Sequence, residues 1–132
     1  MTNFRVSEAA ALLGVSDDTV RRWSEAGRLT LRKENGRSVV EGAELAALAQ
    51  ELAAESALAT AFPSSRASAR NRITGIVTKV TKDGMMAQVD MQAGPFRIVS
   101  LMSREAADEL GLEPGSLATA SVKATNVVIE IP

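Results

Sequence analysis

The chain has 132 residues, enough for one ordinary domain or two small ones. A hydrophobic fraction of 45% with 23% charged residues is that of a globular protein and excludes wholesale disorder, while 3% aromatic residues make any core mostly aliphatic. Cys, His and Tyr are absent, which removes disulfides, thiol nucleophiles, the usual zinc ligands and any imidazole base. No carboxylate pair stands in a recognisable acid–base setting, so an enzyme is not expected. The formal net charge of -1 gives no global attraction to nucleic acid, and a DNA-binding role requires local clusters of Arg and Lys. No window approaches the roughly 18 to 20 apolar residues of a membrane span, and the first residues form no apolar signal, so the expectation is a soluble, cytoplasmic protein.

Helical spacing dominates the front of the chain. Ser7 to Gly14 reads as a short helix, with Ser7 as N-cap and Gly14 as the stop. A second helix follows, capped by Ser16, favoured at its positive end by Asp17 and Asp18, and stopped by Gly27. On its wheel Val20 and Trp23 share one face, with Trp23 as a core anchor, and Asp18, Arg21, Arg22 and Glu25 gather on the other. Two strand-like runs then flank Asn35-Gly36, the strongest short hairpin signal, with Arg32, Lys33 and Arg37 around the turn. Arg21 and Arg22 read either as a solvated face paired with Asp18 and Glu25 or as a DNA-facing pair, and the basic hairpin favours the second.

Residues 42–55 form a strongly helix-prone segment with Leu45, Leu48 and Leu52 on one stripe. That stripe either packs on the preceding helices or, continued towards Leu58, pairs with a second copy. Pro63 and the Ser pair after it mark a boundary. The expected domains are 1–62 and 68–132, with 63–67 as linker.

Beyond the linker the period changes to that of strands. Residues 73–80, 85–91, 96–101, 117–122 and 127–131 read as five strands, separated by the turns at Asp83-Gly84, Gly94-Pro95 and Pro114-Gly115. A helix capped by Ser103 and ended by Gly111 lies between the third and fourth. The fold class is therefore α+β: a winged helix-turn-helix followed by a small OB-like five-stranded β-barrel with one helix. At either end of this half stand Ser-Ala-Arg-Asn (68–71) and Lys-Ala-Thr-Asn (123–126). Ser68 offers a hydroxyl, Arg70 and Ala124 offer backbone amides, and Lys123 offers one positive charge, a donor set suited to a tetrahedral dianion. Without both stretches, Lys123 would be an ordinary exposed lysine and Ser68 part of a linker.

Two resemblances sharpen these readings. Phe4 to Ala10, Leu13 to Ser16, Thr19 to Trp23 and Ala26 to Leu29 resemble the winged helix-turn-helix of MerR and excisionase-type DNA-binding proteins. The resemblance implies that Ser16, Thr19, Arg21 and Arg22 meet double-stranded DNA from the second helix and that Arg37 reaches phosphate from the wing. Ser68 to Asn71 with Gly75 and Val77, then Ser103, Ala106 and Leu110 to Leu112 with Gly115, and finally Val122 to Val127 resemble the molybdate-binding Mop, or TOBE, domains of molbindins and ModE-type regulators. This implies that Ser68, Arg70, Lys123 and Ala124 from neighbouring subunits of a homo-oligomer close on molybdate or tungstate, Arg70 chiefly through its main chain. Asn71 and Thr125 are secondary candidates for the same site, the alternative being that they only hold the turns. Met102 departs from the Thr that many such domains place before the helix, which puts a second oxyanion site in doubt. The expected function is a transcription regulator with an oxyanion-sensing oligomerisation domain. The alternatives are oxyanion storage and an architectural DNA binder whose barrel only assembles the protein.

Overall fold

A computed structural model describes residues 2–62 and 68–132; the expected linker, 63–67, lies outside the described residues. The chain divides into two compact units, Met1–Pro63 and Ser64–Pro132.

The first unit begins with strand β1 (Asn3–Arg5), followed by helices α1 (Val6–Leu13) and α2 (Asp17–Glu25). Strands β2 (Arg32–Glu34) and β3 (Arg37–Glu41) precede helices α3 (Gly42–Ala54) and α4 (Ala57–Ala61). The turn between α1 and α2 is built as its residues dictate: Gly14 takes the left-handed conformation at φ 70°, and the Ser16 hydroxyl accepts the Thr19 N–H at 3.2 Å. Ser7 is not the cap of α1. Arg5 occupies that position and Glu8 closes the box by accepting the Arg5 N–H at 3.0 Å, so the helix starts one residue before the hydroxyl that looked like its cap. Asn35 and Gly36, at φ 52° and 77°, form the two-residue turn that joins β2 to β3. β1, which no sequence pattern announced, pairs with β3 and gives a sheet of order β1-β3-β2.

Val6, Ala10, Val20, Leu29, Val40 and Leu45 are buried together, and Trp23 packs against them, half-buried. The Arg28 guanidinium lies over the Trp23 ring at 5.5 Å and pairs with Glu55 at 3.1 Å. Leu45, Leu48 and Leu52 face this core, which resolves the alternative for the α3 stripe. The helix does not continue: Glu55 caps its end, and Ser56 starts α4 by accepting the Ala59 N–H.

In the second unit β4 (Asn71–Lys82), β5 (Met86–Ala93) and β6 (Phe96–Ser103) are followed by helix α5 (Arg104–Glu109), strand β7 (Leu117–Val122) and a 3-10 turn (Ala124–Asn126). The sheet order is β6-β5-β4-β7, all antiparallel. β4 is shared: its first half pairs with β7, its second with β5, and Ile76 stands opposite both Leu117 and Gln92. Such a change of partner within one strand curls the sheet. Gly75 sits at the corner, where a Cβ would overlap the Gln92 carbonyl oxygen and lie 2.9 Å from its carbon. A bulge between Val77 and Lys79 adds to the bend, and Thr78 there donates to the Asp90 carbonyl. Val77, Val89 and Met91 are buried on the inner face.

The turn into β5 is fixed by Asp83, whose carboxylate accepts the N–H groups of Met85 and Met86 at 2.8 and 2.7 Å and is thereby held below the usual carboxylate range. Ser103 caps α5 through the Ala106 N–H at 3.1 Å, as its place before the helix requires. The mixed helix-and-strand class and the curled OB-like sheet are those expected, but among the described residues four strands form rather than five. Residues 127–131 have strand composition, but among the described residues they are exposed and pair with no strand.

Candidate functional site

The first site belongs to the first unit. Ser16, Thr19 and Arg22 form one hydrogen-bonded row along α2: the two hydroxyls are 3.0 Å apart and Arg22 Nη2 donates to Thr19 Oγ1 at 3.1 Å. Arg21 stands apart from that row. It borders a polar concavity of about 320 Å³ together with Arg5, Ser7, Asp17, Lys33 and Ser38. Helix α2, the start of α1 and the wing therefore converge on one place, with three cations and one carboxylate around it. Arg5 is partly committed to Glu8, whose carboxyl is held below its usual range by the Arg5 N–H and guanidinium. Arg37 is exposed at the wing turn, opposite Glu34. The sequence pattern singles out Arg21 but not Arg5, Ser7 or Ser38 as members of this concavity. The strand β1, which carries Arg5 to this place, is three residues long and leaves no periodic signal.

The second site belongs to the second unit. The ladder between β4 and β7 runs from Ile76↔Leu117 to Asn71↔Val122, and Asn71 Nδ2 donates to the Val122 carbonyl at 3.2 Å across its last rung. Ser68 to Arg70 and Lys123 to Ala124 lie just beyond that rung, so two stretches far apart in sequence emerge side by side at one end of the sheet. The Asn71 side chain ties the two strands at that point. All four expected donors, Ser68, Arg70, Lys123 and Ala124, are exposed in the single chain. Among the described residues no hydrogen bond joins the first pair to the second. The set contains no carboxylate to repel an anion. Met102 lines an apolar cleft and has no donor for a second anion, whereas the Ser103 oxygen accepts the Ala106 N–H in its cap and its own O–H is left free to donate.

A winged helix-turn-helix unit and a curled-sheet unit with an anion-type donor set at one end define a two-part class of protein, and family comparison agrees with each part. The helix-turn-helix domain model matches residues 4–53, the TOBE domain model matches residues 67–129, and the chain belongs to the TOBE-domain family. It is 40% identical over 63 residues to molybdenum-pterin-binding protein 2 of Clostridium pasteurianum, covering 47% of this chain and 93% of that protein. It is also 38% identical over 68 residues to molybdenum-pterin-binding protein MopA of Rhodobacter capsulatus, 51% of this chain. The match spans only 26% of MopA. Among solved structures, a molybdate-binding protein from Sporomusa ovata is similar at a TM-score of 0.49 and 28% identity, over 51% of this chain and 100% of that one. The cytoplasmic molybdate-binding protein ModG, solved with molybdate bound, is similar at a TM-score of 0.49 and 36% identity, over 56% of this chain and 51% of that one. Among the described residues no helix is long and apolar enough to cross a membrane.

Proposed function

We propose that this chain is a cytoplasmic, non-enzymatic transcription regulator that binds double-stranded DNA through its first unit and molybdate or tungstate through its second. The observation that carries the reading is the presence in one chain of both a wing-and-helix surface with clustered cations and a TOBE domain whose relatives are named for binding molybdenum compounds. Arg21, Lys33 and Arg37 meet backbone phosphate, while Ser16, Thr19 and Arg22 lie along the helix that enters the groove. At the other end, a tetrahedral dianion accepts from the Ser68 hydroxyl, the Arg70 and Ala124 amides and the Lys123 ammonium. Because these groups are exposed in one copy, a second copy closes the site and excludes water from it. Binding between copies then favours one assembly over another, and that assembly sets the spacing of the DNA-binding units.

Calorimetric titration with molybdate, tungstate and sulfate tests this. Lys123→Ala removes a charge-assisted bond of about 1.5–3 kcal/mol and should weaken molybdate binding roughly 10- to 150-fold while DNA binding at fixed oligomeric state is retained. Equal affinity in the variant and the parent would remove Lys123 from the site. Bound molybdenum without DNA affinity would favour storage, and DNA binding indifferent to every oxyanion would favour an architectural role.

A further inference from the structure

The polar concavity of the first unit holds one residue that a phosphate-binding surface does not call for. Arg5, Arg21 and Lys33 bring three cations to it and Ser7 and Ser38 two hydroxyls, yet Asp17 lines it as well. A carboxylate there repels backbone phosphate, and the surrounding cations do not neutralise it. Among the described residues Asp17 takes part in no ion pair, although Arg21 lies one helical turn further along α2. Glu8, in the first turn of α1, is by contrast paired with Arg5 at 3.3 Å. The helix dipole favours an acidic residue at this end of α2, but Asp17 and Asp18 both lie in its first turn and it favours them equally. Of the two, Asp17 alone borders the concavity, and the dipole leaves that position unexplained.

Asp17 is the first residue of α2, directly after the Ser16 cap. The N-terminal residues of a recognition helix are the ones that reach base edges in the major groove. Its polar neighbours are already engaged with one another: Ser16 Oγ with the Thr19 N–H at 3.2 Å and the Thr19 hydroxyl at 3.0 Å, and Thr19 Oγ1 with Arg22 Nη2 at 3.1 Å. An ionised carboxylate is an acceptor only. In the major groove it finds donors solely in the exocyclic amines of cytosine and adenine, and it is opposed by the acceptors of guanine and thymine. Adenine sets its N7 acceptor beside the amine, so cytosine is the better match.

We infer that Asp17 is a specificity-determining residue, whose carboxylate accepts from the N4 amine of one cytosine in the operator while Arg21 and Lys33 beside it hold the flanking phosphates. The carboxylate weakens binding to every duplex and restores the loss only where that cytosine stands. Selectivity at one base pair is thus gained against general affinity. This role rests on the DNA-binding reading of the first unit and names the residue that selects one position of the sequence.

Selection of full-length protein against a randomised duplex pool, with the bound fraction sequenced, tests it. The parent should enrich a site in which one cytosine is preferred roughly 5- to 150-fold. Asp17→Ala should lose the preference at that position alone, and Asp17→Asn should replace it with adenine, whose N6 and N7 an amide meets as a pair. On a fixed duplex lacking the site, Asp17→Ala should bind roughly two- to fivefold more tightly than the parent, because a negative charge facing phosphate is gone. Asp18→Ala, which alters the helix dipole equally, should enrich the parent's site. Cytosine retained by Asp17→Ala or Asp17→Asn would overturn the inference, as would a site changed alike by Asp17→Ala and Asp18→Ala. Weaker binding of Asp17→Ala to every duplex, the mark of a purely structural role, would overturn it too. A parent that binds no duplex removes the DNA-binding reading itself, whereas a parent whose site is indifferent to Asp17 leaves that reading standing and removes only this role.

Discussion

Gly75→Ala tests the curl of the second unit most directly. The added Cβ would overlap the Gln92 carbonyl oxygen and stand 2.9 Å from the Gln92 carbonyl carbon and 3.1 Å from Ala93 Cα. Carbon atoms in ordinary contact are about 3.5–4.0 Å apart, so the strands must separate by roughly 0.5–1 Å. All three obstacles are backbone, and β4 is paired on both sides at this corner, with β7 through Gly75 and with both β5 and β7 through Ile76. Overpacking of this kind costs about 1–3 kcal/mol, and the rigidity of the bend places Gly75 towards the upper end. The reduced entropy of the unfolded chain offsets about 0.4–1 kcal/mol of that. A net loss near 2 kcal/mol lowers the folded-to-unfolded ratio roughly thirtyfold. Urea unfolding followed by far-ultraviolet circular dichroism should show it, while the fluorescence of Trp23, the only tryptophan and part of the other unit, keeps its midpoint. Gly84, where an added Cβ would meet no atom within 4 Å, supplies the control, and Gly84→Ala should change stability by less than about 0.5 kcal/mol. Equal stability of the two variants would refute the close-approach argument.

The remaining expectations concern charge. Arg21→Ala and Lys33→Ala, on two walls of the same concavity, should each lower the slope of log affinity against log salt by about 1 in a gel-shift series, and an unchanged slope would place the DNA elsewhere. Asp90 is buried in the sheet with Gln88 Nε2 at 3.1 Å and Arg97 Nε at 2.9 Å, and these two partners, Gln88 first, hold its carboxyl below the usual range. A depressed carboxylate contributes stability that is present above its unfolded value of about 3.9 and lost as pH falls through its native value. Arg97→Ala should therefore lose stability at neutral pH and fall less steeply in acid, measured between about pH 5 and pH 2; parallel profiles for the two proteins would count against the pairing.

What the sequence disclosed was local chemistry. Asn35-Gly36 takes positive φ at both residues and Ser16 and Ser103 cap the helices they precede, because such groups need only neighbours within four residues. Ser7 misled for a related reason, since a hydroxyl before an apolar run imitates a cap while the Arg5–Glu8 box moves the cap two residues earlier. Ser56, with the same capping chemistry, was hidden by the helix-prone Ala, Leu and Glu residues around it. Strands that need distant partners were legible only in composition: β1 was too short to show alternation, and residues 127–131 showed it but find no partner in one copy. The anion-type donors were readable as two stretches, and their juxtaposition depended on the register of a ladder that no local pattern specifies.

That ladder also orders events in time. Asn71 and Val122 are 51 residues apart, and every rung of β4 with β7 closes a loop of more than 40 residues, so the ladder belongs to the slow, non-local part of folding. The donor stretches beyond Asn71 and Val122 come together only when the sheet has formed from end to end. An anion that binds there better than to the open chain stabilises the paired ladder by RT ln(1 + [L]/Kd), an amount that grows with the anion's concentration.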